Sequence, residues 1–467
     1  MPEIRHRVAG AARRLRKLAL GTALAVVAAL PASADSLADA MVAAYRHAAL
    51  LDQNRAVLRA ADEDVASAMA ALRPVIGWTV QHQFQEVQNA ESRSLTASLV
   101  AEMTLYDWGR SQLAIDAAKE LVLATRAQLI SVEQNILLQA VEAYLNVRSQ
   151  RQQVALQENS VRVLSEEERA ANDRYEVGEI TVTDVSLAEA QLAQTRAQLA
   201  TAKGNLAVAV ESYKAATGKA PGDLSAPPKL PTLPKSVTAA QAIAQRSHPA
   251  VEFAQRNVAA AEVQVAAAAA ERRPELKGSA SVYAQDSSQS RDDELIKGAN
   301  VGLTLSQTIY SGGRLSSAHR KAMANRDRAR AALLQSARDV AQSVGVSWAN
   351  IDVARAQISA INEQIVAAQQ AYEGVREEAT LGARTTLDVL DSEQSLLEAR
   401  ANKITAEANL QLAHYQLLAA MGLLTVENLK LGIPTYDPSA YYSAVRDAPY
   451  TSVQGKNLDR VLRAIGK

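Results

Sequence analysis

The sequence predicts a mainly α-helical fold with a small membrane β part, built from two tandem copies of one unit. Three observations support this prediction: a repeat along the chain, long stretches without Gly or Pro, and short segments in which apolar residues alternate with polar ones. The chain has 467 residues, 48% hydrophobic and only 4% aromatic. It is therefore long enough to bury a large core, and its composition favours extended helix packing over a compact α/β core.

The first 34 residues are predicted to be a signal peptide. A basic segment precedes an apolar run from Leu18 to Leu30, and Ala32-Ser33-Ala34 has the small-x-small pattern of a cleavage site. The alternative is a membrane anchor, but an apolar run this short does not cross a bilayer as a helix. We therefore expect the mature chain to leave the cytoplasm. It contains no cysteine, which excludes disulfides and a thioether-linked lipid.

The two copies of the repeat are recognised by matching motifs. The segment from Ser36 to Pro74 recurs as Ser236 to Pro274, at an offset of 200. Three later pairs are offset by 204: Gly109 and Gly313, Gly178 and Gly382, Asp184 and Asp388. We predict a first repeat at 35–217, a Pro-rich extended linker at 218–235, a second repeat at 236–424, and an irregular or mobile tail at 425–467.

Each repeat contains one very long predicted helix. Residues Arg110–Glu176 include no Gly or Pro, and 176 − 110 + 1 gives 67 residues, about 100 Å of helix. Two shorter predicted helices, Ser36–Leu72 and Asp184–Thr217, have 37 and 34 residues, 71 together. Stacked end to end, they match the length of the long helix and can run beside it.

A seven-residue pattern predicts how these helices pair. Large residues recur every seven positions, and mostly small residues follow three positions later. The first copy has Val185, Leu192, Leu199, Leu206 and Tyr213 with Ala188, Thr195, Ala202, Ala209 and Ala216. The second copy has Val389, Leu396, Lys403, Leu410 and Leu417 with Ser392, Ala399, Ala406, Ala413 and Ala420. A sustained heptad pattern is typical of coiled-coil packing.

The two helical stretches of each repeat are joined by a short break with Gly and Asp six positions apart. Gly178 permits a tight turn, and Thr183 or Asp184 is expected to cap the returning helix. The second copy repeats the pattern at Gly382 and Asp388. We therefore predict two helical hairpins with similar tips.

At the other end of the rods, apolar residues alternate with polar ones. The clearest segments are Leu95–Leu105 and Val301–Ile309, and weaker partners lie near Ile76–Gln85 and Leu276–Gln285. Their lengths suit tilted membrane strands, although a soluble hairpin with one wet face gives the same alternation. Four strands cannot close a barrel, so membrane strands would require several copies of the chain. The strand–helix junctions are marked by Pro74, Gly109, Pro274 and Gly313.

Several of these motifs together resemble the TolC family of outer-membrane efflux and export channels. They are the tandem repeat, the junctions "YDWGR" and "YSGGR", and the tips "RYEVGEITVTDV" and "LGARTTLDVLD". The resemblance implies a homotrimer in the outer membrane of a Gram-negative bacterium. Twelve strands would form one barrel in outer-membrane lipid, continued by a periplasmic α-barrel. The implied partners are a periplasmic adaptor protein and an inner-membrane pump of the resistance-nodulation-division or ABC type.

The resemblance also implies roles for residues at the tips. Arg384 and Asp184 correspond to a charged pair that closes the periplasmic end, and Asp388 and Asp391 to an acidic ring at the tunnel entrance. Gly178, Thr183, Gly382 and Thr386 would belong to the adaptor-docking tips. Where the family often has a gate tyrosine, this chain has Ala379. From the residues alone, without this resemblance, the same side chains are better explained as solvated caps and turns.

Other classes of protein receive little support from the sequence. Formal net charge is zero, which gives no indication of nucleic-acid binding. No P-loop, dinucleotide-binding, nucleophile-elbow or HExxH motif is found, and the scattered histidines lack ligand spacing. We therefore expect no enzyme activity and no cofactor. The predicted function is a passive exit duct of a tripartite efflux pump or type I secretion system, for drugs or secreted proteins. The alternative is a periplasmic coiled-coil scaffold without a pore.

Overall fold

A computed structural model describes residues 35–87, 90–287, 295–434, 436, 437, 439, 441–443 and 460. The predicted signal peptide at 1–34 lies outside the described residues. The first half of the chain contains α1 (Leu37–His47), α2 (Ala49–Ala70), β1 (Val75–Val87), β2 (Ala90–Tyr106), α3 (Arg110–Glu176) and α4 (Val182–Thr217). The second half repeats this order with α5 (Val237–Ser247), α6 (Pro249–Ala270), β3 (Glu275–Ser287), β4 (Ile296–Ser306), α7 (Arg314–Thr380) and α8 (Thr386–Ala420).

The helices lie side by side in four rods. Two rods are the long helices α3 and α7, and the other two consist of the shorter helices, as the helix lengths predicted. Helices α3 and α7 each have 67 residues, so the boundaries predicted for the first long helix are confirmed. Helices α2 and α4 both pack along α3, whereas α6 and α8 both lie between α3 and α7. Each heptad position in α4 and α8 is buried or half-buried, which confirms the coiled-coil seam. Within the described residues, no helix is both long and apolar enough to cross a bilayer.

The single helix predicted at Ser36–Leu72 is two helices in the structure, α1 and α2. It is divided at Ala48, whose extended backbone (φ −68°, ψ 97°) ends α1 and begins α2. The second copy breaks at the same place. His248 caps α6 there, since its Nδ1 accepts a hydrogen bond from Ala250 N at 3.1 Å, and Pro249 occupies the first helical turn. His248 and Pro249 therefore form the entry into α6.

The four strands form one antiparallel sheet in the order β1-β2-β3-β4. Directly opposite residues share a face of a sheet, and the register therefore sorts the side chains. One face is apolar: Ile76, Ala101, Ala280 and Val301 lie in one row across the sheet. The other face is mostly polar: Thr79, Ser98, Tyr283 and Gly298 form a row there, and the Thr79 and Ser98 hydroxyls are 2.7 Å apart. The alternation seen in the sequence thus becomes a two-faced sheet.

The strand boundaries extend beyond those predicted, with one exception. Strand β2 reaches from Ala90 to Tyr106, and a bulge between Thr104 and Tyr106 shifts its register. Strand β4 ends at Ser306, so Ile309 lies outside the sheet, contrary to the prediction. Ile309 and Tyr310 are instead highly exposed in the segment that leads to α7. Apolar and polar residues continue to alternate in this segment, but no neighbouring strand pairs with it beyond Ser306, which explains the error.

The linker is extended but held against α3. The Tyr144 hydroxyl donates to the carbonyls of Asp35 (3.1 Å) and Ser225 (2.7 Å), and Arg151 Nη1 donates to Gly222 O at 2.8 Å. Asp35 and Leu224 form a short parallel bridge. Asp35 and the linker are therefore fastened to the middle of the same long helix.

The prolines of the tail predicted an irregular or mobile segment, and its beginning at 425–434 has no helix or strand but is packed against the rest of the chain. Val426 is almost fully buried in the main hydrophobic cluster, and its N–H donates to Glu133 Oε1 at 2.7 Å. Tyr436 packs against the same cluster, and its ring lies 5.4 Å from the Arg55 guanidinium carbon, a cation–π contact. This part of the tail lacks long helices but is fixed by tertiary contacts.

Candidate functional site

The two hairpin tips have the same backbone geometry. Gly178 and Gly382 adopt φ +79° and +75°, a left-handed conformation that side chains with a Cβ rarely adopt. At each tip the residue after Gly donates back to the helix, Glu179 N to Arg174 O and Ala383 N to Glu378 O, both at 2.9 Å. These bonds satisfy carbonyls that the helix end would leave free. A Cβ built on either glycine would meet open space, so within one chain both tips are accessible.

The returning helix of the first hairpin is capped by Thr181, not by Thr183 or Asp184 as predicted. Asp184 N donates to Thr181 Oγ1 at 3.4 Å, while Thr181 N and Oγ1 donate to Asp184 Oδ2 at 2.9 and 2.7 Å. This is a capping box, in which Asp184 is the third helical residue. Hydrogen bonds from Thr181 lower the pKa of Asp184. Thr183 is exposed at the outer side of the tip.

The second tip repeats this arrangement. Thr385 N and Oγ1 donate to Asp388 Oδ2 at 3.0 and 2.9 Å, and the hydrogen bonds from Thr385 lower the pKa of Asp388. Asp391, one turn further along α8, is exposed. These hydrogen bonds favour the charged form of the Asp388 carboxyl group. Thr386 is half-buried beside the tip.

Arg384 does not contact Asp184 within one chain. Its Nε lies 2.9 Å from Glu378 Oε2, in an exposed ion pair inside the second hairpin. The Glu378 carboxylate raises the pKa of Arg384. An Arg384–Asp184 contact would therefore have to form between neighbouring chains, and it would compete with Glu378 for Arg384 and with Thr181 for Asp184.

Two contacts that the sequence did not predict join the hairpins near the tips. Arg376 Nε on α7 lies 3.3 Å from Glu167 Oε1 on α3. Arg174 Nη2 donates to Ala379 O at 3.4 Å, where it meets the carbonyl end of α7. Together with neighbouring residues, these four line a cavity of about 180 Å³ between the hairpins. The two residues joined by each contact are about 200 positions apart in the chain, so no local sequence pattern could have indicated these contacts.

A buried carboxyl group lies in the same region. Glu393 on α8 is only 8% exposed, and its Oε1 accepts a hydrogen bond from Ser160 Oγ on α3 at 3.2 Å. Burial raises the pKa of Glu393 to about 7, although the Ser160 bond opposes the shift. The sequence held one indication of this: Glu393 interrupts an inward stripe formed by Val389, Leu396 and Leu397.

The predicted junction residues lie between strands and helices. Pro74 and Pro274 directly precede β1 and β3, while Gly109 (φ +83°) and Gly313 (φ +87°) directly precede α3 and α7. The first junction is reinforced across the repeats, because Arg110 Nη2 lies 3.0 Å from Glu275 Oε1. These residues set the direction in which each long helix leaves the sheet.

The protomer has unpartnered edges on both sides. In the described chain, β1 and β4 each pair with a single strand, so both sheet edges are open. On the helical side, α7 buries Val344 and Ile351 against its neighbours but exposes Val346 and Val353 on its other side. An apolar stripe of this kind on a long rod marks a packing surface.

The described residues contain no cluster of His, Cys, Asp or Glu side chains suited to a metal ion. His414 is buried against its own helix, where its Nδ1 lies 2.8 Å from Leu410 O, and burial lowers its pKa.

Comparison with known proteins gives a consistent assignment. The family model described as "Outer membrane efflux protein" matches residues 41–219 and 241–423. The chain is 34% identical over 428 residues to the outer membrane efflux protein BepC of Brucella suis, covering 91% of this chain and 93% of BepC. It is 26% identical to the outer membrane protein TolC of Escherichia coli K12, covering 84% of each.

A solved structure shares the fold. The outer membrane protein VceC of Vibrio cholerae superposes with a TM-score of 0.71 at 20% identity, over 83% of this chain and 96% of that one. These relatives are channel proteins of the outer membrane and not enzymes, and much of such a chain lies in the periplasm. The chain therefore belongs to the outer membrane efflux protein family, as its resemblance to TolC-like channels predicted.

Proposed function

We propose that this protein is the outer-membrane exit duct of a tripartite efflux pump or a type I secretion system, and that it works as a homotrimer. The observation that carries the proposal is the open wall formed by one protomer. Four rods and four strands lie side by side, with unpartnered edges at both ends of the wall. Because the two edges differ, copies of the chain would join head to tail, and such joining makes a closed ring when the rotation permits.

The sheet has the chemistry of a lipid-facing wall. Its apolar face exposes Trp78, Val301 and Leu303, a costly arrangement in water and a favourable one in hydrocarbon. Pairing of β1 from one copy with β4 from the next would satisfy the edges, which bare lipid does not tolerate. Three copies would give a twelve-stranded barrel with its polar face towards the lumen.

The helical rods would continue this barrel into the periplasm. The exposed stripe on α7 that includes Val346 and Val353 would pack on α2 of the neighbouring copy, where Leu50 and Val57 are exposed. Twelve rods would then enclose a tunnel. The tunnel would conduct passively, since no nucleotide-binding motif is present in the sequence.

The tips would form the periplasmic gate and the docking surface. Arg384 of one copy would contact Asp184 of another, and three copies of Asp388 and Asp391 would place six carboxylates around a narrow axis. Such a ring attracts cations. The open space around Gly178 would admit a helix of a periplasmic adaptor, as would that around Gly382.

The energy would come from an inner-membrane pump of the resistance-nodulation-division or ABC type, bridged by the adaptor. The name of the Brucella suis relative favours an efflux role. Deletion of the gene tests the cargo: increased drug susceptibility supports efflux, whereas a depleted secreted proteome supports type I secretion.

The channel itself is tested with the detergent-purified protein. Native mass spectrometry is expected to give three copies, and planar bilayers are expected to show discrete conductance steps. The alternative of a periplasmic scaffold predicts extraction without detergent and no conductance. A soluble protein that leaves bilayers silent would refute the exit-duct proposal.

A further inference from the structure

We propose that the buried Glu393 side chain is a pH-dependent latch: packed between α8 and α3, it holds the two hairpins of one protomer together as the neutral acid and loosens them when it ionises. This inference deepens the proposed function, because it assigns a control residue to the closed end of the tunnel. The latch lies within one chain, on α3 and α8, and is distinct from any contact between copies at the tips.

Glu393 is an ionisable residue at a buried position, where its charged form is unfavourable. Glu393 lies on the second turn of α8, buried between α8 and α3, with Ser160 Oγ 3.2 Å from its Oε1. Leu390, three residues earlier on α8, packs in a cluster with Leu164 of α3 and Val185 of α4. Glu393 therefore lies in a layer that joins α8 to the first hairpin, and parting this layer would expose its carboxyl group to water.

The groups that face Glu393 do not offset its burial. Glu167 on α3 repels a charge there, although it is itself paired with Arg376 of α7, and Tyr372 on α7 is a neutral phenol that is itself buried. Arg400 on α8 attracts the charge, but its Nη2 is committed to Gln369 Oε1 on α7 at 2.6 Å. Among the described residues, only the Ser160 hydroxyl donates directly to the Glu393 carboxyl group. The packed seam therefore favours the protonated acid.

The direction of the pH effect follows from this preference. The packed form holds the Glu393 pKa at about 7, against 4.5 for a solvated carboxyl group. A raised acid pKa stabilises the packed form fully at pH below the solvated value, and the stabilisation is lost as pH rises through the packed value. Between pH ~5 and pH ~8 the closed-to-open ratio should fall about 10- to 100-fold. The periplasmic end of the duct is therefore tighter in acid and looser at neutral or alkaline pH.

The experiment uses the full chain in planar bilayers and in infrared difference spectra between acidic and alkaline pH. The wild type should open more as pH rises, and a protonated-carboxyl band should disappear with a midpoint near neutrality. Glu393→Gln should remove both the band and this pH dependence, leaving a channel that stays closed. Glu407→Gln, at an exposed position on the same helix, should change neither.

Ser160→Ala gives a second arm that keeps the carboxyl group. Loss of the donor that favours the ionised form should move the conductance midpoint to higher pH. An unchanged pH profile in Glu393→Gln, or an unmoved midpoint in Ser160→Ala, overturns the latch while the channel stands. A wild type that conducts at no pH overturns the exit duct and the latch with it.

Discussion

A charge placed on the apolar face of the sheet tests the membrane assignment most directly. Val301 is 87% exposed in the protomer and lies in the apolar row with Ile76, Ala101 and Ala280. It stands five residues before the end of β4 at Ser306. A strand rise of ~3.4 Å per residue and a tilt of ~40° place it about 13 Å above the strand base, near the middle of a ~25 Å apolar band.

At that depth an arginine costs about 2 to 4 kcal/mol per chain, which lowers the population of inserted protein by roughly 30- to 1000-fold. Val301→Arg should therefore strongly reduce assembly in the outer membrane. Leu99→Arg and Leu303→Arg, on the same face, should act in the same direction. The assay combines the yield of assembled protein with urea unfolding from lipid vesicles, followed by tryptophan fluorescence.

The matched control is the adjacent residue. Asn300 pairs with Ser281 on the polar face, so Asn300→Arg points to the lumen and should be tolerated. Equal losses in Val301→Arg and Asn300→Arg would show that neither face meets lipid. A larger loss in Asn300→Arg would reverse the assignment of the faces.

Three further predictions concern the tips and the barrel wall. Gly178→Trp with Gly382→Trp should abolish cross-linking to the adaptor while the protein still assembles, because both positions open onto free space. Arg384→Ser should raise conductance in planar bilayers, because it removes the cation from the proposed gate; each exposed pair contributes only about 0 to 1 kcal/mol, repeated in each copy. Gly298→Val should destabilise the barrel in thermal unfolding, because a Cβ at Gly298 would lie 2.5 Å from the Tyr283 ring.

Each of these predictions has a matched control. The corresponding alanine substitutions at the two tip glycines share the backbone strain without the bulk, so loss of cross-linking in them would assign the effect to a distorted tip. Glu378→Gln frees Arg384 from its partner within the hairpin and should not raise conductance; wild-type conductance in Arg384→Ser would exclude it from the gate. Gly302→Val meets Ser279 Oγ only at 3.5 Å and should be tolerated, and equal destabilisation would remove the Tyr283 explanation.

The first long helix and the hairpin turns could be predicted from the amino-acid sequence. Helix α3 begins at Arg110 and ends at Glu176 as predicted, because helix continuity depends on the local absence of Gly and Pro. Gly178 marked a tip because a left-handed backbone conformation is a property of a single residue. The heptad positions from Val185 to Tyr213 are buried or half-buried because their period is that of a coiled coil.

Tertiary structure decided the features that depend on distant partners. Thr181 and not Thr183 caps α4 because cap choice follows the path of the turn, and Val426 is buried because Glu133, 293 residues away, accepts its N–H. Alternation predicted that Val301 belongs to an apolar face, but only the strand register shows that Ala101 and Ala280 share its row. Glu393 is an ordinary carboxyl group in the sequence, and it becomes a group with a pKa near 7 only where α3 and α8 exclude water from it, since desolvation depends on packing in three dimensions.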